Sequence, residues 1–243
     1  MSCRPIFLKS NFESIEPEKK LVFIKDMAVG MCPSRYHYLP AKSSGFKHFF
    51  LIRNPVKVYK SYRKCLEEFV EDIPEEHFIA MTMTKPTRET LHIINSFPAP
   101  KEGTPYVFKA INELWTHVRK NVDEDPVVLD IDDLLDDPPT MLPVIFKALG
   151  IPFSKSLLQW DESADIVLKW KSPCPNVRDA PRHAMWYTNA FKSTCFKRSG
   201  TTASLEDVTA DVKEVVEKEM PFYEEMHKTR ITREFLNDCL IKG

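Results

Sequence analysis

Residues 49–64 have the sequence FFLIRNPVKVYKSYRK, which predicts a buried strand that leads directly into a helix. The apolar run starts at Phe46 and ends before Arg53, as expected for a strand covered on both faces of a parallel sheet. Asn54 is a good N-cap residue, and Pro55 suits the first position of a helix. We therefore expect a strand at 46–52 and a helix from residue 56 to about 69.

Two further apolar runs predict strands of the same kind, at residues 21–24 (LVFI) and 127–131 (VVLDI). Helical patterns lie between and after them, from the Thr104-Pro105 pair to Val118 and over residues 141–149 and 205–228. Because strands alternate with helices, we expect an α/β protein with a parallel sheet flanked by helices. Ligands of such sheets bind at the carboxyl ends of the strands.

The composition is that of an ordinary globular protein, with 243 residues, 43% hydrophobic and 28% charged. A net charge of −1 argues against bulk electrostatic binding of nucleic acid, and no apolar run is long enough to predict a membrane span. Six scattered cysteines and an opening segment without an apolar leader predict reduced thiols and a cytoplasmic location. We expect one domain over residues 1–243, in which residues 66–103 form an irregular insertion or lid.

Arg53 and Ser61 are the strongest chemical signal in the sequence. Arg53 follows the predicted strand, and Ser61 lies eight residues later, about two turns into the predicted helix. The planar guanidinium group suits a phosphate, and the serine hydroxyl adds a donor. The pair therefore predicts a phosphate site. The alternative is an arginine that caps a carboxylate at the sheet edge and a serine on a solvated helix face.

The segment around Arg53 and Ser61 resembles the 3′-phosphate-binding segment of sulfotransferases that use 3′-phosphoadenosine-5′-phosphosulfate (PAPS). That family has an arginine after a strand, commonly followed by Asn-Pro or similar, and a serine eight positions on. Three further segments are similar to a sulfotransferase-like family, some of whose members carry the name branched-chain aminotransferase-like. They are residues 20–38 (KLVFIKDMAVGMCPSRYHY), 127–153 (VVLDIDDLLDDPPTMLPVIFKALGIPF) and 186–200 (WYTNAFKSTCFKRSG). The last segment has Cys195 at a position where the family usually has glycine.

The resemblance covers most of residues 20–228 and implies a P-loop NTPase-like sulfotransferase fold. It also implies that Arg53 and Ser61 hold the 3′-phosphate of PAPS and that Lys197 and Arg198 contact donor phosphates. Asp26 would be the catalytic base, and Lys25 would touch phosphate or substrate. Each pair has a plainer alternative: a local salt bridge or helix cap for Lys25 and Asp26, and solvated charges for Lys197 and Arg198.

Other polar residues are expected to be structural. His37, His48 and His183 are candidate bases, but lone histidines are more often packed or exposed, and His48 is expected to be packed within its strand. The aspartates at positions 132, 133, 136 and 137 are expected to stabilise a helix N-terminus rather than to hold a metal ion, since the family uses none.

The sequence departs from the family in one respect. PAPS sulfotransferases bind the 5′-phosphosulfate with a small-residue loop between the first strand and helix, and none of the six glycines opens such a unit here. We therefore expect an N-terminally incomplete fold, either a truncated or a degenerate member. The expected function is sulfuryl transfer from PAPS to the hydroxyl or amine of a small-molecule acceptor, or a fragment of such an enzyme.

Two alternatives to a sulfotransferase stay open at this point. One is a non-catalytic nucleotide-binding or interaction protein on the same scaffold. The other is a nucleotide kinase-like enzyme, which is the weaker of the two because the glycine loop and its lysine are missing. The sequence specifies neither the acceptor nor the oligomeric state.

Overall fold

The computed structural model describes residues 23–25, 27–72, 107–163, 165, 189–198, 200 and 204–235. The strands and helices follow in the order β1 (Phe49–Ile52), α1 (Pro55–Asp72), α2 (Val107–Asn121), β2 (Val127–Asp130), α3 (Ile131–Asp136), α4 (Pro138–Ala148) and α5 (Ala210–Lys228). Short 3₁₀ turns lie at Ala28–Gly30, Pro33–Tyr38, Lys42–Ser44, Lys155–Leu158 and Leu205–Asp207. The described part of the chain is thus a mixture of helices with a small sheet.

β1 and β2 pair in parallel, with Phe49 opposite Val127 and Ile52 opposite Asp130. Side chains alternate between the two faces of a strand, so each strand contributes to two cores. Phe50 belongs to a core on one face, whereas Leu129 belongs to a core on the other. β2 is largely buried on both faces, whereas Leu51 of β1 is 43% exposed, so the expectation of a strand covered on both faces is wrong for β1.

The first core packs α1, α2 and α5 against the sheet. Its members include Val56 of α1, Val118 of α2 and Val216 of α5, all at most 1% exposed. Fully burying a valine or leucine side chain stabilises a fold by about 1.5–3 kcal/mol relative to its exposure. This core therefore provides the main hydrophobic attachment of the three long helices to the sheet.

The second core packs α3 and α4 on the other face. Leu129, Met141 and Val144 are almost completely buried there, and Ile231 joins them from the segment after α5. The backbone N–H of Ile231 also donates to the carbonyl of Val128 at 2.8 Å. The segment after α5 thereby attaches to the edge of β2 that does not face β1.

Glu219 of α5 is a buried carboxylate that joins three helices. It accepts hydrogen bonds from the Tyr59 hydroxyl of α1 at 3.0 Å and from the backbone N–H groups of Phe108 and Lys109 in α2, at 2.5 and 3.4 Å. The first N–H groups of a helix have no partner within the helix, and a carboxylate is favoured near them. Glu219 therefore caps α2 from a distant part of the chain.

The strand predicted at residues 21–24 is wrong where the structure describes it. Phe23 and Ile24 lie in no strand and are 74% and 46% exposed. An apolar run predicts burial but supplies no pairing partner, and the 3₁₀ turn Ala28–Gly30 lies shortly after it. Residues 21 and 22 lie outside the described residues.

Several predicted boundaries also need correction. β1 begins at Phe49 rather than at residue 46, and β2 ends at Asp130, because the Asp130 side chain caps α3. α1 continues to Asp72, so residues 66–72 are helical rather than irregular, as expected for a stretch without glycine or proline. The rest of the expected lid, residues 73–103, lies outside the described part, as does the predicted start of α2 at residues 104–106.

The last two helices differ slightly from expectation. α4 begins at Pro138, three residues earlier than predicted, because prolines are well tolerated in a first helical turn. α5 begins at Ala210, and the expected residues before it form the separate 3₁₀ turn Leu205–Asp207. Pro221 lies inside α5, which is continuous through it.

Candidate functional site

The carboxyl ends of β1 and β2 place charged residues side by side. Arg53 follows β1, and Asp132 lies in the first turn of α3, which follows β2. Because the strands are parallel and in register, these two residues meet at one edge of the sheet. Arg53 Nε lies 3.2 Å from Asp132 Oδ1, with the two side chains 25% and 23% exposed.

Local capping fixes the directions of both helices at this edge. The Asn54 side chain accepts a hydrogen bond from the N–H of Val56 at 3.0 Å, so α1 begins immediately after Arg53. The Asp130 side chain accepts from the N–H of Asp132 at 2.8 Å and starts α3 in the same way. The N-cap predicted at Asn54 is confirmed.

Lys57 is a residue of this edge that the sequence analysis missed. Its Nζ lies 3.1 Å from Asp132 Oδ2, and its side chain is 17% exposed. It lies four residues after Arg53 and four before Ser61, and residues at this spacing share one side of a helix. This four-residue spacing is the sequence signal that could have identified Lys57. Ser61 itself is exposed, one turn further along α1.

The other aspartates around α3 form ion pairs with arginines. Arg198 Nε lies 2.7 Å from Asp136, Arg230 Nε lies 2.7 Å from Asp133, and Arg233 lies 3.4 Å from Asp137. The Arg198 hydrogen bond holds the pKa of Asp136 below its usual range, and Lys57 and Arg233 add smaller electrostatic contributions. The acidic cluster is therefore a set of ion pairs in addition to the expected cap, which Asp130 provides.

An isolated β-bridge and a ring contact hold the segment that carries Arg198. Gln159 and Cys195 form an antiparallel bridge, and the Trp160 N–H donates to the Thr194 carbonyl at 2.9 Å. The Trp160 ring packs edge-on against Phe196 with centroids 5.1 Å apart. These contacts attach the segment 189–198 to residues 159 and 160, and Arg198 joins it to α3 through Asp136.

The structure brings together two of the predicted donor-binding residues. Arg53 and Arg198 both bind carboxylates of α3, at positions 132 and 136, which lie one helical turn apart. Ser61 and Lys197 are exposed, and among the described contacts none joins either to this cluster. The arrangement around Arg53 agrees with the alternative of an arginine paired with a carboxylate at the sheet edge.

A comparison with known protein families finds a match in the part of the chain that contains α3 and Arg198. A family model described as a sulfotransferase domain matches residues 116–231. This match supports the assignment of the chain to the sulfotransferase family. The match begins within α2 and ends just after α5, so it includes β2, α3 and Arg198. None of the curated proteins and none of the solved structures that were compared matches the chain.

The recognised resemblance to sulfotransferases is thereby confirmed at the level of the family. The small parallel sheet between helices is compatible with a sulfotransferase α/β fold. Arg53 and Ser61 lie before the first matched residue, so their expected roles stay predictions.

A buried polar group lies beneath the charged residues at the strand ends. Asp130 is 2% exposed and accepts a hydrogen bond from the Tyr223 hydroxyl at 2.7 Å, with His227 Nε2 at 3.8 Å. Burial raises the pKa of Asp130, and the bonds from Tyr223 and from the Asp132 N–H oppose that rise. Burial and Asp130 together raise the pKa of Tyr223. This group anchors α5 to the end of β2.

An apolar cavity of about 390 Å³ lies beside β1. Its walls come from β1, α2 and the segment before β1, and include Phe23, Met27, Leu51, Ile111, Leu114 and Val118. Lys25, one of the two expected catalytic residues, is exposed at this cavity. Asp26, the other one, lies outside the described residues. Cavities of this size and character hold small, largely apolar ligands.

His48 also contacts this cavity and is held by Asp123. Its backbone N–H donates to Asp123 Oδ2 at 2.9 Å, and its ring Nδ1 lies 3.4 Å from the same oxygen. Burial acts to raise the pKa of Asp123, but hydrogen bonds from the His48 and Asp125 N–H groups and the charge of Lys47 lower it overall. His48 precedes β1 rather than lying within it, because the strand begins at Phe49.

The remaining histidines lie apart from the charged residues at the strand ends or outside the described residues. His37 is exposed and packs against Tyr38, with ring centroids 4.0 Å apart, and His183 lies outside the described residues. Over the residues that the structure describes, no group of three or more potential metal ligands is close enough to hold an ion. Over the same residues, no helix combines the length and apolarity needed to cross a bilayer.

Proposed function

We propose that this chain transfers a sulfuryl group from PAPS to a hydroxyl or amine group of a small-molecule acceptor. The observation that carries the proposal is the cluster of Arg53, Lys57 and Arg198 around α3, at the carboxyl ends of two parallel strands. A sulfotransferase family model matches residues 116–231, which include α3 and Arg198 but neither Arg53 nor Lys57. Sulfotransferase domains generally use PAPS, a nucleotide whose phosphates need cationic partners.

The donor would lie across the strand ends of a P-loop NTPase-like fold. Arg53 and Ser61 would bind its 3′-phosphate, with Lys197 and Arg198 contributing charge from the segment after α4. Arginine is suited to this role because its planar group can donate two parallel hydrogen bonds to one phosphate. These cations would neutralise the phosphates without a metal ion.

The acceptor would occupy the apolar cavity beside β1, with its reactive group near Lys25. Asp26 would take the proton from the acceptor hydroxyl or amine, which attacks the sulfur atom. A new sulfur–oxygen or sulfur–nitrogen bond forms as the sulfur–oxygen bond to the 5′-phosphate breaks, and 3′-phosphoadenosine-5′-phosphate leaves. Cations near that phosphate would stabilise the negative charge that develops on it.

Nucleotide binding without transfer is the second candidate, since the cations at the strand ends suit a phosphate whether or not an acceptor reacts. Gly45 and Gly150 have positive φ angles of 73° and 69° and follow a 3₁₀ turn and the helix α4 respectively. Within the described residues, neither opens a helix after a strand, where a loop for the 5′-phosphosulfate would lie. A chain of this kind would bind the nucleotide and leave the acceptor unchanged.

We also propose that the protein works in the cytoplasm, with no nucleic acid or membrane partner. The six cysteines are scattered and match no disulfide or zinc pattern, which favours a reducing compartment. Its net charge of −1 offers no bulk attraction to nucleic acid.

Thermal unfolding with 3′-phosphoadenosine-5′-phosphate tests the donor site. At about a hundredfold excess over Kd, binding should stabilise the protein by about 2.7 kcal/mol and raise Tm by roughly 5–11 °C. The rise should disappear in Arg53→Ala and persist in Lys120→Ala, which removes an exposed cation at the far end of α2. An unchanged Tm in a folded wild-type protein would contradict both candidate functions.

A transfer assay then separates the two candidates. Wild-type protein with PAPS and a set of hydroxyl and amine acceptors should produce a sulfated product and 3′-phosphoadenosine-5′-phosphate. A Tm increase without any product from acceptors that fit the cavity would favour nucleotide binding alone.

A further inference from the structure

Asp132 bridges two cations with its two carboxylate oxygens. Oδ1 lies 3.2 Å from Arg53 Nε, and Oδ2 lies 3.1 Å from Lys57 Nζ. All three side chains are about three-quarters buried or more. Two oxygens of a phosphate group could bridge the same two cations in the same way, since arginine and lysine both bind phosphate oxygens.

The bridge is assembled from two separate parts of the chain. Arg53 and Lys57 belong to the junction of β1 and α1, whereas Asp132 comes from α3, where the Asp130 cap fixes the first turn. The described contact between Arg53 and Asp132 is made by Nε of the guanidinium group. Ser61 lies one further turn along the side of α1 that carries Lys57.

We propose that Arg53 and Lys57 together form the 3′-phosphate site and that Asp132 occupies this site until the nucleotide displaces it. The inference rests on the proposed function and adds Lys57 as a binding residue and Asp132 as an internal competitor. Two phosphate oxygens would replace the two carboxylate oxygens, and the third would face the Ser61 hydroxyl.

The difference in charge explains why the nucleotide would displace the Asp132 carboxylate from the two cations. A phosphate monoester carries about −1.5 to −2 charges at pH 7, whereas the carboxylate carries one. The apparent affinity of such a site is lowered by the fraction of molecules in which it is closed. If Asp132 closes the site in about nine molecules of ten, its removal should tighten binding roughly tenfold.

The test is a calorimetric titration with two nucleotides, 3′-phosphoadenosine-5′-phosphate and adenosine 5′-phosphate, which lacks the 3′-phosphate. Asp132→Asn should tighten binding of the first roughly tenfold and leave the second unchanged. Asp133→Asn is the matched control, because it makes the same change in charge one residue away and its partner is Arg230. The control should alter neither affinity by more than about twofold.

Lys57 gives a second test that does not depend on the folding of an Asp132 variant. Lys57→Gln should weaken binding of 3′-phosphoadenosine-5′-phosphate by roughly tenfold or more and spare adenosine 5′-phosphate. Lys57→Arg should restore most of the loss, since a cation returns to the same side of α1. The two affinities together report on the 3′-phosphate alone.

Each outcome has a separate meaning. If the wild type binds 3′-phosphoadenosine-5′-phosphate but neither Asp132→Asn nor Lys57→Gln alters that affinity selectively, the donor site stands and the competitor role of Asp132 is overturned. Equal tightening of both nucleotides by Asp132→Asn would also overturn it, since that is a general effect of charge. If the folded wild type binds neither nucleotide, the proposed function fails and the inference fails with it.

Discussion

Glu219 shows how one buried residue makes stability depend on pH. Burial raises its pKa, although the bonds from the Phe108 N–H, the Tyr59 hydroxyl and the Lys109 N–H oppose the rise. A carboxyl group whose pKa is higher in the folded than in the unfolded state stabilises the fold below its unfolded pKa, and this stabilisation is lost as pH rises through the folded pKa.

We therefore expect Glu219→Gln to remove that dependence, because glutamine keeps an acceptor oxygen but does not ionise. The unfolding free energy of the wild type, minus that of the variant, should fall as pH rises from about 4 towards neutrality. Urea unfolding at several pH values measures this difference. Glu217→Gln, an exposed change on the same helix, should give a flat difference, and the same flat result for Glu219→Gln would contradict the prediction.

Tyr223 is the hydroxyl donor to the buried carboxylate of Asp130, at 2.7 Å. Tyr223→Phe should lower the unfolding free energy by about 1.5–3 kcal/mol, because it leaves a buried acceptor without its donor. It should also raise the pKa of Asp130 further, since the Tyr223 bond favours the charged form. Urea unfolding at pH 7 provides the test, with Tyr38→Phe as a half-exposed control that should change stability little.

The end of α4 depends on one glycine. The Gly150 N–H donates to the Lys147 carbonyl at 3.1 Å, and the Ile151 N–H donates to the Phe146 carbonyl at 2.8 Å. This is the Schellman pattern, in which the residue after the cap takes a left-handed conformation, and Gly150 has φ of 69°.

We expect Gly150→Ala to destabilise the protein by about 1 kcal/mol or more, because a side chain disfavours that conformation. Gly30→Ala is the matched control. Gly30 has no positive φ, and an added Cβ would meet nothing within 4 Å. Equal Tm values for the two variants would mean that α4 ends in another way.

The segment 189–198 should loosen without Trp160. Trp160→Ala removes the ring contact with Phe196 and the indole N–H bond to Ser193 Oγ at 3.3 Å. Trypsin should then cut after Lys192 faster than in the wild type, because cleavage follows local opening. Leu157→Ala, an exposed change in the neighbouring 3₁₀ turn, should leave the cleavage rate unchanged, and an unchanged rate in both variants would contradict the prediction.

Elements with a complete local signal could be predicted from the sequence. β1 and α1 are confirmed because the apolar run, the Asn54 cap and Pro55 all agree. The strand at residues 21–24 fails because apolar residues alone do not provide a pairing partner. Capping by Glu219 could not be foreseen, since it joins Phe108 to a residue 111 positions away.

The candidate site likewise has features with a local sequence signal and features without one. The position of Arg53 at a strand end is confirmed, since it depends on the local sequence. Its pairing with Asp132 depends on strand register and on the start of α3, and neither can be derived from residues 49–64. Lys57 had a local signal in its spacing from Arg53 and Ser61, but only the contact with Asp132 shows that it belongs to this edge.

At the scale of the whole molecule, one side of the described structure is apolar and open to solvent. Phe23, Met27 and Leu51 are 74%, 67% and 43% exposed and line the same cavity. Within the described residues β1 pairs with β2 along one edge only. Exposed apolar surface beside a strand edge favours association between molecules.

We expect the double variant Phe23→Ser, Met27→Ser to bind less of a hydrophobic dye and to self-associate less at high concentration. Its unfolding free energy should stay within about 0.5 kcal/mol of the wild type, because both residues are exposed. Dye fluorescence and sedimentation measure the two effects. Leu157→Ser, which exchanges an exposed leucine away from the cavity, should change neither, and the idea fails if the double variant behaves like this control.

The long-range cap of α2 has a consequence for synthesis of the protein on the ribosome. Phe108 leaves the exit tunnel well before Glu219 has been translated, so the first turn of α2 emerges without its carboxylate. Only after α5 has been made can Glu219 reach that turn and Tyr59. Native packing of the first core therefore has to be completed late in translation, and until then a nascent chain exposes the start of α2 to chaperones.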